Sequence, residues 1–156
     1  MDNKAEEIQI LLELFQQWSG ETPVRHELLP ESGSHRKYYR IESRNKKAIG
    51  VFGPDKKENA AFLSYSKHFK SAGLNVPEVY LVAEDQYHYL IEDLGNKNFL
   101  DYLNDLEVNK GTNDDDIDTL FEKVLEELIN IQLVSPPDYT KAIPRADFDK
   151  QSIMWD

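Results

Sequence analysis

Apolar residues open the chain at helical spacing. Ile8, Leu11, Leu12, Phe15 and Trp18 fall on one stripe, and Gly20 follows as a stop, which predicts an amphipathic helix. The period then shortens. Residues 24–29 and 37–42 read as strands, and the Gly/Ser/Pro cluster between them reads as a turn. Asn45-Lys46-Lys47 turns the chain into a third strand over 48–52, which Gly53-Pro54-Asp55 ends.

Helical spacing returns over 55–72, where Phe62, Tyr65 and Phe69 share a face and Gly73 suits the C-terminal cap. Phe62 and Phe69 are therefore expected to be mostly buried. Strands follow over 78–83 and 87–91, separated by Glu84-Asp85-Gln86. A short helix is predicted over 99–106, then a polar linker to about residue 116. A longer helix carries Ile117, Leu120, Phe121, Val124, Leu125, Leu128 and Ile131, and Ser135-Pro136-Pro137 breaks it. The remainder shows no regular pattern and the chain shows no internal repeat. Short hairpins predict an α+β domain with a five-stranded antiparallel sheet and the helix over 55–72 packed on one face.

Charge narrows the function classes. The 156 residues carry a net charge of −11, which disfavours non-specific nucleic-acid binding and anionic membranes. It leaves room for a nucleotide, because a local basic loop with Mg²⁺ holds phosphates against an acidic background. With no cysteine, disulfides, thiolate metal sites and thiol catalysis are excluded. The acidic amphipathic N-terminus lacks the features of a signal peptide, and no apolar run approaches the ~18 residues of a membrane helix. A soluble cytoplasmic protein is expected.

Three segments carry candidate chemistry. In Pro30-Glu31-Ser32-Gly33-Ser34-His35-Arg36-Lys37, Gly33 can take positive φ so that successive N–H groups converge on an anion, and Ser32 and Ser34 add donors. Arg36, Lys37 and Arg40 concentrate positive charge beside it. The alternative is an ordinary turn with solvated bases. Glu58 lies in the first turn of its helix, where it either faces a phosphate site or complements the helix dipole. Leu90-Ile91-Glu92-Asp93-Leu94-Gly95 ends the last strand and either offers backbone groups to an adenine edge or simply turns. The run Asn113–Asp116 lacks the glycine and glutamate of a calcium loop. The four histidines have no paired-ligand spacing, and Ser34-His35 lacks a GxSxG elbow.

Taken in order, SGSHRKYYRI, AIGVFGPDKKENAAFL, SAGLNVPEVYLV and YLIEDLGN resemble the phosphotransferase family of aminoglycoside phosphotransferases and choline kinases, over about residues 28–103. The nearest branch is that of the bacterial kinases acting on the anomeric position of N-acetylmuramate or N-acetylglucosamine. The resemblance implies a protein-kinase-like N-lobe over 1–95 and the helical start of a second lobe over 96–156. It implies ATP and Mg²⁺, the metal ligands lying in the second lobe, and a small-molecule hydroxyl as acceptor. Ser32, Gly33, Ser34, His35 and Arg36 would cover the phosphates, Glu58 would be the glutamate of the inter-strand helix, and Ile91, Glu92 and Leu94 would belong to the adenine hinge. The chain departs from this pattern twice. Its third strand lacks the phosphate-binding lysine, leaving a loop base such as Arg36 as substitute. No histidine begins the catalytic H-x-D-x-x-x-x-N, so the chain is expected to be an inactive fragment of a longer kinase. Its long last helix is then expected to be covered by a second copy. The alternative is a non-catalytic acidic α+β module that docks a protein.

Overall fold

A computed structural model of the chain describes residues 3–30, 33, 35–108 and 114–141. The elements run α1 (Asn3–Ser19), β1 (Arg25–Leu28), β2 (Lys37–Glu42), β3 (Lys47–Phe52), α2 (Lys56–Ser71), β4 (Val79–Val82), β5 (His88–Ile91), α3 (Phe99–Val108) and α4 (Asp114–Leu133), with a short 3₁₀ turn at Tyr139–Lys141. The fold is α+β, as expected. Five antiparallel strands lie in the order β1-β2-β3-β5-β4.

α2 covers one face of the sheet, as expected, and α1 covers the other. Strand alternation sends Tyr39, Ile41, Ala48 and Leu90 to the face where Leu11, Leu14 and Phe15 of α1 pack. It sends Ile49, Val51, Tyr89 and Ile91 to the opposite face, where Phe62 and Leu63 of α2 pack. Gly50 permits the close approach of α1, because a Cβ there would meet Ile41 Cδ1 at 2.9 Å and both Leu11 methyls at 3.2 Å. Trp18 closes the end of this layer by stacking on Tyr80 at 4.2 Å.

The aromatic stripe of α2 is mostly covered, as expected, but it does not supply the most buried residues of the helix. Phe62 and Phe69 are half-buried, and the buried residues of the helix are Asn59, Ala61 and Ser66. Small side chains bring α2 close to the sheet, which leaves the rings at its flanks. Phe62 meets Tyr89 at 5.6 Å, while Tyr65 and Phe69 turn toward Ile131 and the segment after α4.

Asn59 fixes where α2 begins. Its side chain is fully buried, and Nδ2 donates to the carbonyls of Gly53 at 2.8 Å and Gln86 at 3.0 Å. One amide thus joins the end of β3, the β4–β5 turn and the first turn of α2. Residue 53 must be glycine, because a Cβ there would lie 2.1 Å from Asn59 Oδ1. Gly53→Ala is expected to displace the Asn59 amide and destabilise the chain by about 1–3 kcal/mol, read as a lower urea midpoint at unchanged m. An unchanged midpoint would show that the amide relaxes without losing its bonds.

Candidate functional site

Strand alternation separates the three bases that cluster in the sequence. Lys37 turns to the α1 face, where its Nζ lies 2.7 Å from the buried carboxylate of Glu7. It therefore contributes nothing to a phosphate site on the other face, contrary to the charge-cluster expectation. Arg36, the residue before β2, and Arg40, within it, face the α2 side.

Arg36 Nη2 lies 3.1 Å from Glu58 Oε1, and its guanidinium sits 5.2 Å from the centre of the Phe62 ring. The arginine side chain is 13% exposed and that of Glu58 is 47% exposed, so the pair lies at the rim of the α2 face with its acid open to solvent. Local chemistry places Glu58 there. Asp55 caps α2, its Oδ1 accepting from the N–H groups of Lys57 at 2.8 Å and Glu58 at 3.2 Å, and Asn59 anchors the same turn. Gly33 and His35 are exposed in the turn just before Arg36, and Ser32 and Ser34 lie outside the described residues.

The other end of this face is built on Arg40. Its Nε and Nη2 donate to the two carboxylate oxygens of Asp93 at 2.9 and 3.0 Å, and Nη1 donates to Asn96 Oδ1. The Asp93 side chain is 2% exposed. Burial pushes its carboxyl up, but the hydrogen bonds from Arg40 and the Gly95 N–H, with the charges of Arg40 and Lys47, more than offset this. The carboxyl is held below the ordinary carboxylate range. Arg40 and Asp93 thus tie β2 to the segment after β5.

That segment contains the three expected adenine contacts, in different environments. Ile91 is buried among Ile49, Val51 and Tyr89. The Glu92 N–H is already donated to the Glu78 carbonyl at 2.9 Å, and Glu92 Oε2 accepts from the Glu78 N–H at 3.1 Å. The Leu94 side chain is 68% exposed. Beyond it, Asn98 and Asp101 cap α3 reciprocally.

Arg36 and the hinge segment therefore mark the two ends of one strip. Arg40 is in register with Ile49 and Ile49 with Ile91, while Arg36 lies four residues earlier along β2. At about 3.3 Å per residue the separation along the strand is about 13 Å. Tyr38 and Val51 lie between them on the same face. On β3 itself the α2-facing positions are Lys47, the first residue of the strand, whose Nζ lies 3.6 Å from Asp93 Oδ2, then Ile49 and Val51, so the strand does hold a lysine but no base stands in mid-strand. Among the described residues, no group of three or more His, Asp or Glu side chains could hold a metal ion.

Asp93, Asn96, Asn59 and Glu7 were not singled out by the sequence. The only local signal was the Asp93–Gly95 turn, which indicates a bend but not a partner. Comparisons of the chain with known protein families, with curated proteins and with solved structures return no match.

The depressed Asp93 carboxyl sets a sign for acid stability. A group with a lowered folded pKa stabilises fully above its unfolded value of about 3.9, and that stabilisation disappears as pH falls through the folded value. Asp93→Asn is expected to lower stability at neutral pH by about 3–5 kcal/mol, because Arg40 keeps its burial and loses its counter-charge. It should also flatten the loss of stability below about pH 4, measured by urea unfolding across pH. A parallel pH profile at lower stability would assign the acid sensitivity to other carboxylates.

Proposed function

We propose that the chain is the nucleotide-binding lobe of an ATP-dependent kinase that phosphorylates a hydroxyl of a small molecule, a sugar or amino sugar. The observation that carries this reading is the Arg36–Glu58 pair. Phosphoryl transfer depends on positioning and charge stabilisation, and kinases of this general type pair a sheet base with a glutamate of the inter-strand helix. Here the helix is α2, inserted between β3 and β4, and the base comes from just before β2 instead of from β3.

The guanidinium already has one orienting carboxylate and an aromatic ring beneath it. A guanidinium presents its N–H groups in a fixed fork that matches phosphate oxygens. The exposed Glu58 holds the arginine ready without enclosing it. At the other end, the Glu92 N–H is taken up by Glu78, so the Glu92 carbonyl and the Leu94 N–H are the groups assigned to an adenine edge. The Arg40–Asp93 bond keeps that backbone still. The separation of about 13 Å along the strand suits an extended nucleoside triphosphate lying past Tyr38, which is half-buried. Mg²⁺ would bind with the triphosphate, and the described residues offer no acidic cluster to complete its coordination. The general base and the metal-binding asparagine of H-x-D-x-x-x-x-N are absent from the sequence, so this chain binds and orients and does not transfer. Phe99, Phe121, Leu125 and Leu128 are exposed on α3 and α4, which fits a second lobe or a second copy covering them.

Mg·ATP should raise the thermal midpoint of the chain in a concentration-dependent way. Arg36→Ala should weaken the nucleotide by about tenfold or more, since a charge-assisted contact contributes roughly 1.5–3 kcal/mol. Glu58→Ala should cost less, and the double variant less than the sum, because the two side chains act as one unit. No shift at millimolar nucleotide, or an unchanged affinity in Arg36→Ala, would remove the assignment.

A further inference from the structure

β1 is the outermost strand of the sheet and is bonded to β2 on one side only. The Leu29 N–H donates to the Tyr38 carbonyl at 2.8 Å, so antiparallel pairing directs the odd-numbered residues of β1 toward β2. His26 and Leu28 are left with their N–H and C=O groups on the outer edge. Pro23 and Pro30 stand on either side of the strand and have no N–H, so an added strand can pair only between them.

Both faces of this strand carry a self-complementary pattern. On the α1 side, His26 is in register with Ile41 and Leu28 with Tyr39. α1 lies over β3 and β5 and leaves the outer strand open there, so Leu28 is 39% exposed and Val24 is 74% exposed. Val24 and His26 border a groove of about 370 Å³ whose other wall is Leu12, Glu13 and Gln16 of α1. On the α2 side, Arg25 is in register with Glu42 and Glu27 with Arg40. Val24-Arg25-His26-Glu27-Leu28 therefore has apolar residues outermost, opposite charges next and a histidine at the centre.

That pattern selects a second copy as the occupant and fixes its register. An antiparallel copy related by a two-fold axis at His26 sets Arg25 opposite the partner's Glu27 on one face and Val24 opposite the partner's Leu28 on the other. An axis at Arg25 or at Glu27 would oppose like charges, and an axis at Leu28 would set His26 against the partner's Pro30, which has no N–H to give. Within one copy Arg25 donates to Glu27 at 2.7 Å and Arg40, which also holds Asp93, reaches Glu27 at 3.6 Å. The pairing adds a further arginine to each Glu27 and displaces nothing buried. Glu13 of the groove is already engaged, accepting from Gln9 at 2.9 Å. Arg25 and Arg40 offset Glu27 and Glu42, so the edge carries no excess charge in a chain of net charge −11.

We propose that β1 is a self-association edge, pairing antiparallel with β1 of a second copy about a two-fold axis at His26. The two His26 residues exchange backbone hydrogen bonds, Arg25 and Glu27 bridge reciprocally, and Leu28 of each copy rests against Val24 of the other, beside the groove lined by Leu12. The two sheets become one, bounded by β4 at both ends. Each copy uses its single β1 edge, so association closes at two. The interface is separate from the Arg36–Glu58 pair and from the apolar face of α4, and it stands without the nucleotide reading.

Sedimentation equilibrium of the 156-residue chain should show a monomer in exchange with a species of twice its 18.1 kDa mass. A short edge pairing of this kind should have Kd of about 10–100 μM. Arg25→Glu and Glu27→Arg should each weaken it at least about tenfold, because each opposes like charges. An equimolar mixture of the two variants should recover the dimer, because each side chain then meets its opposite charge in the other chain. His26→Pro removes an N–H from the outer edge and leaves the bonds to β2 in place, so it should abolish the dimer at an unchanged circular-dichroism spectrum. Leu128→Glu on α4 should leave the dimer intact. The proposal is overturned by a monomer up to about 1 mM, by a dimer that survives in folded Arg25→Glu and His26→Pro, by a mixture no more associated than its components, or by a dimer lost on Leu128→Glu.

Discussion

The central strands of this sheet are buried on both faces, and much of the remaining design answers to that constraint. β3 alternates Ala48 and Gly50 toward α1 with Ile49 and Val51 toward α2. β5 does the same with Leu90 on one side and Tyr89 and Ile91 on the other. A lysine in mid-strand would have to give up its hydration between two apolar layers, at a cost that only a well-placed carboxylate offsets. The chain keeps these bases on β2 and at the residue just before it, where water still reaches part of each pair. The absence of a base from the middle of β3 and the position of the Arg36–Glu58 pair at the rim are thus two consequences of one packing arrangement.

Of the ion pairs made by β2 and the residue just before it, three run in three directions. Lys37 meets Glu7 of α1, Arg36 meets Glu58 of α2, and Arg40 meets Asp93 beyond β5. Each joins the strand to a different neighbour, and with Asn59 they set how the helices and the last strand sit against the sheet. The most buried is Arg40–Asp93, whose bidentate geometry and extra bonds from Gly95 and Asn96 satisfy both groups. The most open is Arg36–Glu58, whose carboxylate is 47% exposed.

Part of the candidate site was legible in the chain. Arg36 was a base in a turn rich in small residues, and Glu58 was an acid in the first turn of a helix. Each had an ordinary alternative, and their contact across 22 positions decides between isolated surface charges and a pair. Asp93 was harder to find, because its carboxylate was one of many in an acidic chain and its partner lay 53 residues away. The sequence places Glu92 in a segment that could offer backbone groups, and only strand pairing with Glu78 shows that its N–H is already used.

Hydrophobic periodicity by itself determined the element order, the two periods and the antiparallel sheet, because those depend on neighbours within a few residues. Turn chemistry set most boundaries to within a residue or two for the same reason. Which faces the helices would cover, which bases would share a face and which backbone donors would stay free were decided only by the tertiary structure. A helix stripe says that something must be buried against it, not what. Phe62 and Phe69 show the limit. Their spacing correctly put them on one face, but how deeply they sank depended on the small residues Ala61 and Ser66 and on the Asn59 clamp, which bring α2 close and leave its rings at the flanks.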